Sequence, residues 1–425
     1  MRQNSTTLRV GGAALGLAAL AAAPAQAQEG IVFGSQTTLI GEADPVTGAQ
    51  TILGACGGIV SGLAVDDEQI TISTTTGALY RKQAAESFVS FWQQSPNDGT
   101  ALTSVGGLLF VGGSDGTIQR YDYDQPGTTL LATLPFGGVE AMAVHEWQLF
   151  VAGPFGTLFV GGLFSGVLQP LPVCGGEITA MVGFADGPKD LLYIATADGS
   201  LWTYDIPTQT FVGSISLPQP ATGLGVFGSD LVVGSADGIA RRIQRHTGAV
   251  KQEYAVGVSI DALGMQTPAQ FSNVATFCSG SVCPCANNDA DHSCATSKGW
   301  GTGAVFQGST SVSADDLSIT VYDLPPNVLA RFYMGPGNIS VPFGDGKICV
   351  GNGGYSSFRF PVVSTGPDGV LKLGPGVVDY ANTTFEPDLI SAGELWNFQG
   401  WFRDPAGPCG AKVNTTQAFA VSFTQ

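Results

Sequence analysis

Short runs of apolar and polar residues alternate along the first two-thirds of the chain, and the same sequence pattern recurs several times. In its clearest copy, residues 100–122, a small polar residue opens an apolar strand, a Ser-Asp-Gly turn follows, and a second alternating strand ends near an acidic residue. Alternation with a period of two indicates a strand with one buried face, and an Asp-Gly turn between two strands indicates a hairpin. Related copies begin at Ser61, Glu140, Thr179 and Thr222.

The copies recur about every 40 residues, a period that predicts a β-propeller. The first apolar anchors of successive copies are separated by 39, 40, 39, 43 and 39 residues, and the long step contains the insertion Ala185–Asp190. These anchors are Leu63, Leu102, Met142, Met181, Leu224 and Leu263. The second anchors, just after each turn, are Leu39, Leu79, Ile118, Leu158, Leu201 and Ile239.

The two anchor series are offset, and the offset predicts how the propeller closes. The chain begins its repeats with a second strand, whereas the last first strand, Ile260–Met265, has no repeat after it. One blade is therefore expected to take its first strand from Ile260–Met265 and its other three from Ile31–Ile52, because this pairing leaves no exposed sheet edge. The sequence predicts six blades of four strands with this one-plus-three closure.

Two turns in this region carry a family resemblance. ADPVTGAQT, Ala43–Thr51, and QRHTGAVKQ, Gln244–Gln252, resemble the D-P-x-T-G turns of the YVTN and quinoprotein-like bacterial propellers. The resemblance covers about residues 31–266 and implies the propeller fold without an activity.

A different β-rich sequence follows Gln266. Runs such as LSITVYDL, KICVG, LWNFQGWFR and AFAVSFT are separated by Gly, Pro and Asn, a pattern typical of a β-sandwich. The predicted organisation is all-β: a signal peptide over residues 1–27, a six-bladed β-propeller over 28–266, a linker over 267–277 and a disulfide-linked β-sandwich over 278–425.

Four motifs in the C-terminal part carry a second resemblance. They are C-P-C-x-N at Cys283–Asn287, S-V-S-A-D-D-L at Ser311–Leu317, F-G-D-G-x-x-C-V-G at Phe343–Gly351 and R-D-P-A-G-P-C-G at Arg403–Gly410. Together they resemble an uncharacterised, cysteine-containing C-terminal domain of secreted planctomycetal and myxobacterial proteins. That resemblance implies secretion and modular use, and no reaction.

The first 27 residues predict export. Arg2 and Arg9 precede an apolar run over residues 10–23, and Ala25-Gln26-Ala27 is an A-x-A cleavage site. The apolar run is shorter than the roughly 20 residues that a membrane span needs. We therefore expect a secreted protein, periplasmic or extracellular, without a transmembrane segment.

The charge balance limits the classes of partner. The chain carries 17 Lys and Arg against 34 Asp and Glu, a formal net charge of −17. Nucleic acids and anionic membranes bind cationic surfaces, so neither is an expected partner. The expected partner is a protein or a carbohydrate at the cell surface, and the sequence does not indicate an oligomeric state.

Eight cysteines in an exported chain predict disulfides. Four clustered cysteines are expected to pair among themselves: Cys278, Cys283, Cys285 and Cys294. Cys349 is then expected to pair with Cys409. Cys56 and Cys174, each followed by Gly-Gly, lie in equivalent loops and fit either a bridge across the propeller axis or two buried thiols.

The cysteine cluster also contains candidate metal ligands. Three oxygen donors at alternating positions resemble the start of a calcium loop, although its glycine and its distal Glu are missing: Asn287, Asp289 and Asp291. Calcium is the only cofactor that the sequence indicates. Zinc on Cys283, Cys285, Cys294 and His292 is the alternative, but C-P-C lacks the spacer of ordinary zinc knuckles, and export favours disulfides.

One polar position recurs two residues before each first anchor. Since the first strand of each blade lines the propeller axis, these residues should ring one mouth of the channel: Ser61, Thr100, Glu140, Thr179, Thr222 and Asp261. The ring fits a site for a cation or a small polar ligand. The favoured interpretation is that these polar side chains satisfy exposed strand ends around a water-filled pore.

The chain lacks H-E-x-x-H and Walker A sequences, and its G-x-S-x-G match at Gly112–Gly116 is the Ser-Asp-Gly turn between two strands of the repeat. Its first strands are small and apolar, and His145, His246 and His292 fall in separate places, so we expect no joint histidine site. The sequence therefore predicts an exported, non-catalytic binding or cell-surface scaffold protein that uses the propeller as an interaction platform. The alternative is a secreted propeller enzyme, a lactonase or a quinoprotein-like dehydrogenase, with a site that the sequence does not reveal.

Overall fold

The computed structural model describes residues 30–35, 38–66, 69–83, 86–186, 189–266, 273–351 and 357–425. The predicted signal peptide, residues 1–27, and residues 267–272 of the predicted linker lie outside the described residues. The described chain is almost entirely β, with one α-helix and one short 3-10 helix, Pro154–Gly156. None of the described helices is long and apolar enough to cross a membrane.

The first 24 strands form six antiparallel sheets of four strands each. In chain order they are β1 (Gly30–Gly34), β2 (Leu39–Ala43), β3 (Gln50–Ala55), β4 (Val60–Asp66), β5 (Gln69–Thr74), β6 (Ala78–Lys82), β7 (Ser90–Gln94), β8 (Ala101–Val105), β9 (Leu108–Gly112), β10 (Thr117–Asp122), β11 (Gln125–Thr133), β12 (Ala141–His145), β13 (Gln148–Gly153), β14 (Thr157–Gly162), β15 (Leu168–Pro170), β16 (Ile178–Asp186), β17 (Lys189–Thr196), β18 (Ser200–Asp205), β19 (Thr210–Ser216), β20 (Ala221–Phe227), β21 (Asp230–Ser235), β22 (Ile239–Gln244), β23 (Val250–Ala255) and β24 (Ala262–Gln266).

Sheet 1 joins the two ends of this part of the chain. Its strand order is β24-β1-β2-β3, with Ile31 opposite Met265 and Phe33 opposite Leu263 in antiparallel register. The predicted pairing of Ile260–Met265 with the N-terminal strands is therefore confirmed, although the strand itself runs over Ala262–Gln266. Sheets 2 to 6 are consecutive along the chain: β4–β7, β8–β11, β12–β15, β16–β19 and β20–β23.

The inner strands of the six sheets contact one another in a closed cycle: β24 with β4, β4 with β8, β8 with β12, β12 with β16, β16 with β20 and β20 with β24. We call this closed arrangement of residues 30–266 the ring. All six first anchors are buried along it. The regular spacing of these anchors thus corresponds to six equivalent inner strands.

The second anchors are confirmed at four positions and shifted by one residue at two. Leu79, Ile118, Leu158 and Leu201 are buried as predicted. In the first and last copies the buried residues are Ile40 and Ala240, whereas Leu39 and Ile239 are only half-buried. Two adjacent residues are apolar in both places, and because neighbouring side chains point to opposite faces of a strand, the pairing register decides which one is buried.

Eleven further strands and the helix make up the C-terminal region, residues 274–425. They are β25 (Val274–Phe277), β26 (Gly303–Gln307), β27 (Ser318–Tyr322), β28 (Leu329–Gly335), β29 (Asn338–Phe343), β30 (Gly346–Val350), β31 (Phe358–Arg359), β32 (Val363–Ser364), β33 (Leu371–Leu373), α1 (Val377–Thr384), β34 (Leu395–Arg403) and β35 (Val413–Ser422). One sheet has the order β25-β35-β34-β28-β31 with β32 also on β28, a second is β26-β27-β33, and β29 pairs with β30. Because β25 pairs with β35, the last four residues of the predicted linker are part of a sheet.

The two larger C-terminal sheets share one hydrophobic core. Val321 of β27, Phe332 of β28 and Phe398 of β34 are almost fully buried in it, and α1 contributes Val377. A second cluster joins this region to the ring, because Val305 and Tyr322 pack with Phe227. The chain is therefore an all-β protein in which the C-terminal region packs directly on the ring.

Candidate functional site: the channel of the ring

The inner strands of all six sheets line a cavity of about 1090 Å³ along the axis of the ring. Its walls consist mainly of small and apolar residues, including all six first anchors. Among the described residues that line it there is no Lys or Arg. Small and apolar side chains thus alternate with hydroxyl groups along the channel, and its acidic residues include Asp66, Glu140 and Asp261.

The C-terminal region covers the mouth at which the inner strands end. Phe277, Phe306 and Gln417 line the cavity there, next to Ser229, which lies just beyond the end of β20. The Tyr322 hydroxyl donates to the carbonyl of Phe227 at 3.2 Å and accepts from the backbone N–H of Ser229 at 3.4 Å. We call this the covered mouth, and the opposite end, where the inner strands begin, the open mouth.

The six polar residues predicted to ring one mouth all line the cavity, at the open mouth: Ser61, Thr100, Glu140, Thr179, Thr222 and Asp261. Three of the hydroxyls bond across sheets. Ser61 donates to the carbonyl of Gly99 at 2.7 Å, and Thr100 donates to that of Val139 at 2.6 Å. In the same way Thr222 donates to Ile260, so each hydroxyl binds the carbonyl just before the next ring position. These hydroxyls hold neighbouring sheets together.

Glu140 differs from the hydroxyl residues of this ring. Its Oε2 atom is enclosed and has no hydrogen-bond partner among the described residues. Burial raises the pKa of Glu140, and the charge of Glu177 raises it further. Glu140 and Glu177 also line a second pocket of about 420 Å³, together with Phe155 and Cys174, whereas Asp261 accepts from Ser259 at 3.3 Å.

Phe155 is a functional candidate that the sequence analysis missed. It occupies the turn position of Asp115, Asp198 and Asp237, whose carboxylates each accept the backbone N–H two residues further on. Phe155 cannot make that bond; it adopts a left-handed φ of 62° and is 86% exposed. The turn Gly-Pro-Phe-Gly was the available signal, because it departs from the Asp-Gly pair that three of the other copies use.

Two neighbouring loops extend the apolar surface around Phe155. A Cβ on Gly137 would contact Pro154 at 3.0 Å or less, and a Cβ on Gly156 would meet the carbonyl of Cys174 at 2.9 Å, so the loops before β12 and β16 pack against this turn. Phe136 and Val173 of these loops are 52% and 60% exposed. We call Phe136, Phe155, Val173, Glu140 and Glu177 the rim patch.

Histidine chemistry in the channel is limited to one pair. His145 Nε2 lies 3.0 Å from Oδ1 of Asp190, which joins the inner strand of sheet 4 to sheet 5 near the covered mouth. No hydroxyl or thiol of the described residues forms a hydrogen bond with His145. The pair therefore lacks the nucleophile that a catalytic triad requires.

Beside the channel, a buried cluster of charges joins sheet 6 to the C-terminal region. Asp230 contacts Arg242 at 2.9 Å, Lys251 at 3.0 Å and His292 at 3.1 Å. Arg242 also contacts Asp323 at 2.7 Å. The acidic groups and the basic groups are nearly all hidden from water, so each depends on its partners.

A second part of the cluster uses the acids near the cysteines. Asp291 contacts Arg245 at 2.8 Å and His246 at 2.9 Å, and Asp289 contacts His292 at 3.1 Å. Burial opposes protonation of His292, but Asp230 and Asp289 raise its pKa to about 9. Burial would raise the pKa of Asp289, but hydrogen bonding from His292 lowers it to about 2. His246 and His292, which we expected to lie apart, thus share one cluster.

This cluster bears directly on the predicted calcium residues. One ligand atom of Asp289, one of Asp291 and one of His292 lie within 4.8 Å of one another, but the neighbouring basic side chains are those of Arg245, His246 and Lys251. Asn287 turns elsewhere and donates to the carbonyl of Asp345 at 2.9 Å. The acids are already neutralised by protein cations, an arrangement that favours ion pairs over a calcium ion.

The disulfide pairing differs from the prediction. Cys278 pairs with Cys349, Cys285 pairs with Cys409, and only the Cys283–Cys294 bridge lies within the cluster. The fold brings β30 and the loop after β34 against the cluster, so the expected Cys349–Cys409 bridge is wrong. Because all three cluster cysteines of the zinc alternative are in disulfides, they provide no thiolate ligands.

Cys56 and Cys174 are buried thiols, one of the two alternatives left open by the sequence. Cys56 Sγ lies 3.1 Å from the carbonyl of Gly58, and Cys174 Sγ lies 3.6 Å from that of Gly176. Burial raises the pKa of both thiols. Each thiol therefore acts as a small apolar group with a local hydrogen bond.

Comparisons with known proteins concern the fold alone. No family model and no curated protein matches the chain. A crystal structure of a nidogen/laminin complex aligns with 56% of this chain and 98% of its own, at 9% identity and a TM-score of 0.50. A computationally designed protein, Ika8, aligns with 58% of this chain and 76% of its own, at 20% identity and a TM-score of 0.38.

Proposed function

We propose that the protein is an exported, non-catalytic binding protein whose ring is a six-bladed β-propeller with one-plus-three closure, followed by a β-sandwich. Its interaction platform is the open mouth of the channel, and its partner is a protein segment that presents Lys or Arg. The observation that carries the proposal is the rim patch: exposed Phe155 lies in one pocket with the neighbouring carboxylates of Glu140 and Glu177, and exposed Phe136 and Val173 lie on the adjoining loops.

The position of the C-terminal region supports the choice of mouth. Its residues Phe277 and Phe306 line the covered end of the cavity, so a partner reaches the channel from the open end. Three disulfides in the C-terminal region agree with an oxidising, extracytoplasmic environment.

The charges at the open mouth support a cationic partner. Neither cavity is lined by a Lys or Arg among the described residues. Glu140 has an enclosed oxygen without a hydrogen-bond partner, and the charge of Glu177 acts on it. An ammonium or guanidinium group placed between the two carboxylates would relieve their mutual repulsion.

Phe155 supports a partner that also buries apolar surface. A largely exposed aromatic residue with a left-handed backbone gains nothing for the turn itself, in which three other copies use Asp. Exposed aromatic residues next to charged groups are characteristic of interaction surfaces, since they supply most of the buried area at low entropic cost.

A non-catalytic role agrees with the channel lining. Its ring hydroxyls are engaged with backbone carbonyls, and the His145–Asp190 pair has no nucleophile in contact. Catalysis by acyl or hydride transfer needs a positioned base together with a nucleophile or a cofactor site, and the lining residues offer neither.

The proposal is tested with a fluorescein-labelled hexa-arginine peptide. Fluorescence anisotropy is recorded while the full chain is added, at low and at physiological salt, with hexa-glutamate as the control peptide. We expect saturable binding of hexa-arginine that weakens with salt. Glu140→Gln with Glu177→Gln should weaken binding at least tenfold, as should Phe155→Asn, which keeps a residue that tolerates the left-handed turn.

Asp368→Asn, an exposed acid of the C-terminal region, is the matched control and should bind as the parent chain does. Equal binding of both peptides, or no effect of the rim-patch substitutions, would contradict the proposal. Saturable binding of a soluble oligosaccharide at the same variants would instead assign a carbohydrate partner, and hydrolysis of a lactone or oxidation of a sugar by the purified protein would assign an enzyme.

A further inference from the structure

Two aspartates of the C-terminal region do not line the channel and lie together in another part of the fold. Asp345 follows β29 in the F-G-D-G motif, and Asp404 follows β34 in the R-D-P-A-G-P-C-G motif. Both are 0% exposed. A carboxylate removed from water needs a cation or hydrogen bonds to replace its hydration.

Hydrogen bonds account for three of the four carboxylate oxygens. Asp345 Oδ1 accepts the backbone N–H of Ala411 at 2.9 Å, and its Oδ2 accepts that of Cys409 at 3.4 Å. Asp404 Oδ2 accepts the backbone N–H of Ser297 at 3.0 Å. Oδ1 of Asp404 is buried and has no hydrogen-bond partner in the described part of the chain.

No protein cation neutralises this pair. Among the described residues no Lys, Arg or His comes within 4.0 Å of either carboxylate; nearby Lys298 reaches toward Asp323 instead, at 3.7 Å, and Lys347 donates to the carbonyls of Ser279 and Ser281. The buried charges that join sheet 6 to the C-terminal region differ in this respect, because each buried acid there contacts a basic side chain. The hydrogen bonds to these two carboxylates come from backbone N–H groups of Ala411, Cys409 and Ser297.

The two carboxylates also face the same point. A Cβ built on Gly407 would overlap Oδ2 of Asp345 and would lie 3.0 Å from Oδ2 of Asp404. The two oxygens are therefore within the spacing that two ligands of one Ca²⁺ ion can span, at metal–oxygen distances of about 2.3–2.6 Å. Only glycine fits at residue 407, because any side chain would fill the space between the carboxylates.

We propose that Asp345 and Asp404 bind a divalent cation, of the calcium class, in a structural site beneath the Gly407 loop. The donors are all oxygens, which suits a hard cation, and backbone carbonyls and water complete such a site in proteins. The ion neutralises the pair and fixes the loop that carries Cys409, whose bridge to Cys285 holds the cysteine cluster. This site is separate from Asp289 and Asp291, whose partners are protein cations.

The test uses the full chain, stripped with EDTA and then dialysed against CaCl2 or MgCl2. Elemental analysis should find about one calcium per chain, and the melting temperature should rise with each tenfold increase in CaCl2 because the folded state alone binds the ion. MgCl2 should give a smaller rise. Asp404→Asn and Asp345→Asn should each weaken the calcium response at least tenfold.

Two controls locate the ion. Asp368→Asn, on the surface of the same region, and the channel variant Glu140→Gln with Asp261→Asn should both retain the ion and the calcium response. If the Asp345→Asn or Asp404→Asn variant fails to fold, the calcium content of the unsubstituted chain and the effect of EDTA on its melting temperature still test the proposal. The proposal is wrong if the chain holds no calcium after loading and melts at the same temperature with EDTA as with CaCl2. It is also wrong if the Asp404→Asn chain responds to calcium as its parent does. A higher melting temperature for Asp404→Asn would show instead that Asp345 and Asp404 share a proton.

Discussion

Arg242 and Asp323 fasten the ring to the C-terminal region: Nη2 of Arg242 lies 2.7 Å from Oδ1 of Asp323, and both side chains are 4% exposed. The same guanidinium binds Asp230 at 2.9 Å and lies over the ring of Tyr322, with 4.9 Å to its centroid. One side chain thus connects sheet 6 with Tyr322, the last residue of β27, and with Asp323, which follows it. The energetic consequence follows from its burial.

Arg242→Met should destabilise the folded protein by about 3–5 kcal/mol, because it leaves Asp230 and Asp323 buried with fewer cations. Its neighbour provides the matched control. Arg241 pairs with Asp237 and Glu253, whose side chains are 30% and 54% exposed, and Arg241→Met should cost about 1 kcal/mol or less. Urea unfolding of both variants measures the difference, and equal losses would contradict a buried fastening.

The stability of the folded protein should fall as the pH rises from about 6.5 to above 9. The pKa of His292 is about 9 in the folded protein and about 6.5 when unfolded, so its contribution is complete below pH 6.5 and is lost as the pH passes 9. The groups that face it are Asp230, Asp289 and Lys251. A shift of this size corresponds to about 3 kcal/mol.

Melting curves between pH 5 and 10 test this prediction, with His292→Gln as the comparison because glutamine does not titrate. The variant should lack the loss of stability between pH 6.5 and 9 that the parent chain shows. Parallel pH profiles for the two proteins would mean that His292 is neutral when folded.

The hydroxyls of the channel ring should contribute to stability in proportion to their bonds across sheets. Thr100→Val leaves the carbonyl of Val139 without its 2.6 Å partner, and we expect a loss of about 1–2 kcal/mol. Thr179, whose hydroxyl reaches only the carbonyl of Ala195 in its own sheet at 3.3 Å, is the matched position. Thr179→Val should lower the free energy of unfolding by less than Thr100→Val in the same denaturation experiment. The reverse order would contradict the role of these hydroxyls in joining neighbouring sheets.

Peptide mapping without reduction should recover three bridges and two thiols. The expected pairs are Cys278–Cys349, Cys283–Cys294 and Cys285–Cys409, with Cys56 and Cys174 alkylated only after unfolding. A Cys349–Cys409 peptide would restore the pairing expected from the sequence and contradict the arrangement of β30 against the cysteine cluster.

The sheets of the ring were predictable because each is a local unit. Hairpin turns and apolar anchors lie within one copy of about 40 residues, and the offset of the two series indicated the pairing of Ile31 with Met265. The shift from Leu39 to Ile40 shows the limit of this approach, since a pattern with two adjacent apolar residues does not fix which one faces the core.

Contacts between distant parts of the chain were not predictable in the same way. Cys285 and Cys409 are 124 residues apart, and Arg242 and Asp323 are 81 apart, so only the packed fold brings them together. The six channel residues line one cavity, but the hydrogen bonds of Ser61, Thr100 and Thr222 depend on carbonyls in the next sheet. The sequence indicated Phe155 only through its turn, Gly-Pro-Phe-Gly, which lacks the Asp-Gly pair of three other copies.

Hydrogen–deuterium exchange of the full chain with and without saturating hexa-arginine shows which surface binds the peptide. If the open mouth binds it, exchange should slow in the loops that carry the rim patch, residues 135–140, 154–157 and 172–179, and should stay unchanged in the C-terminal region. Protection confined to the C-terminal region, or spread evenly over the acidic surface, would contradict binding at the open mouth.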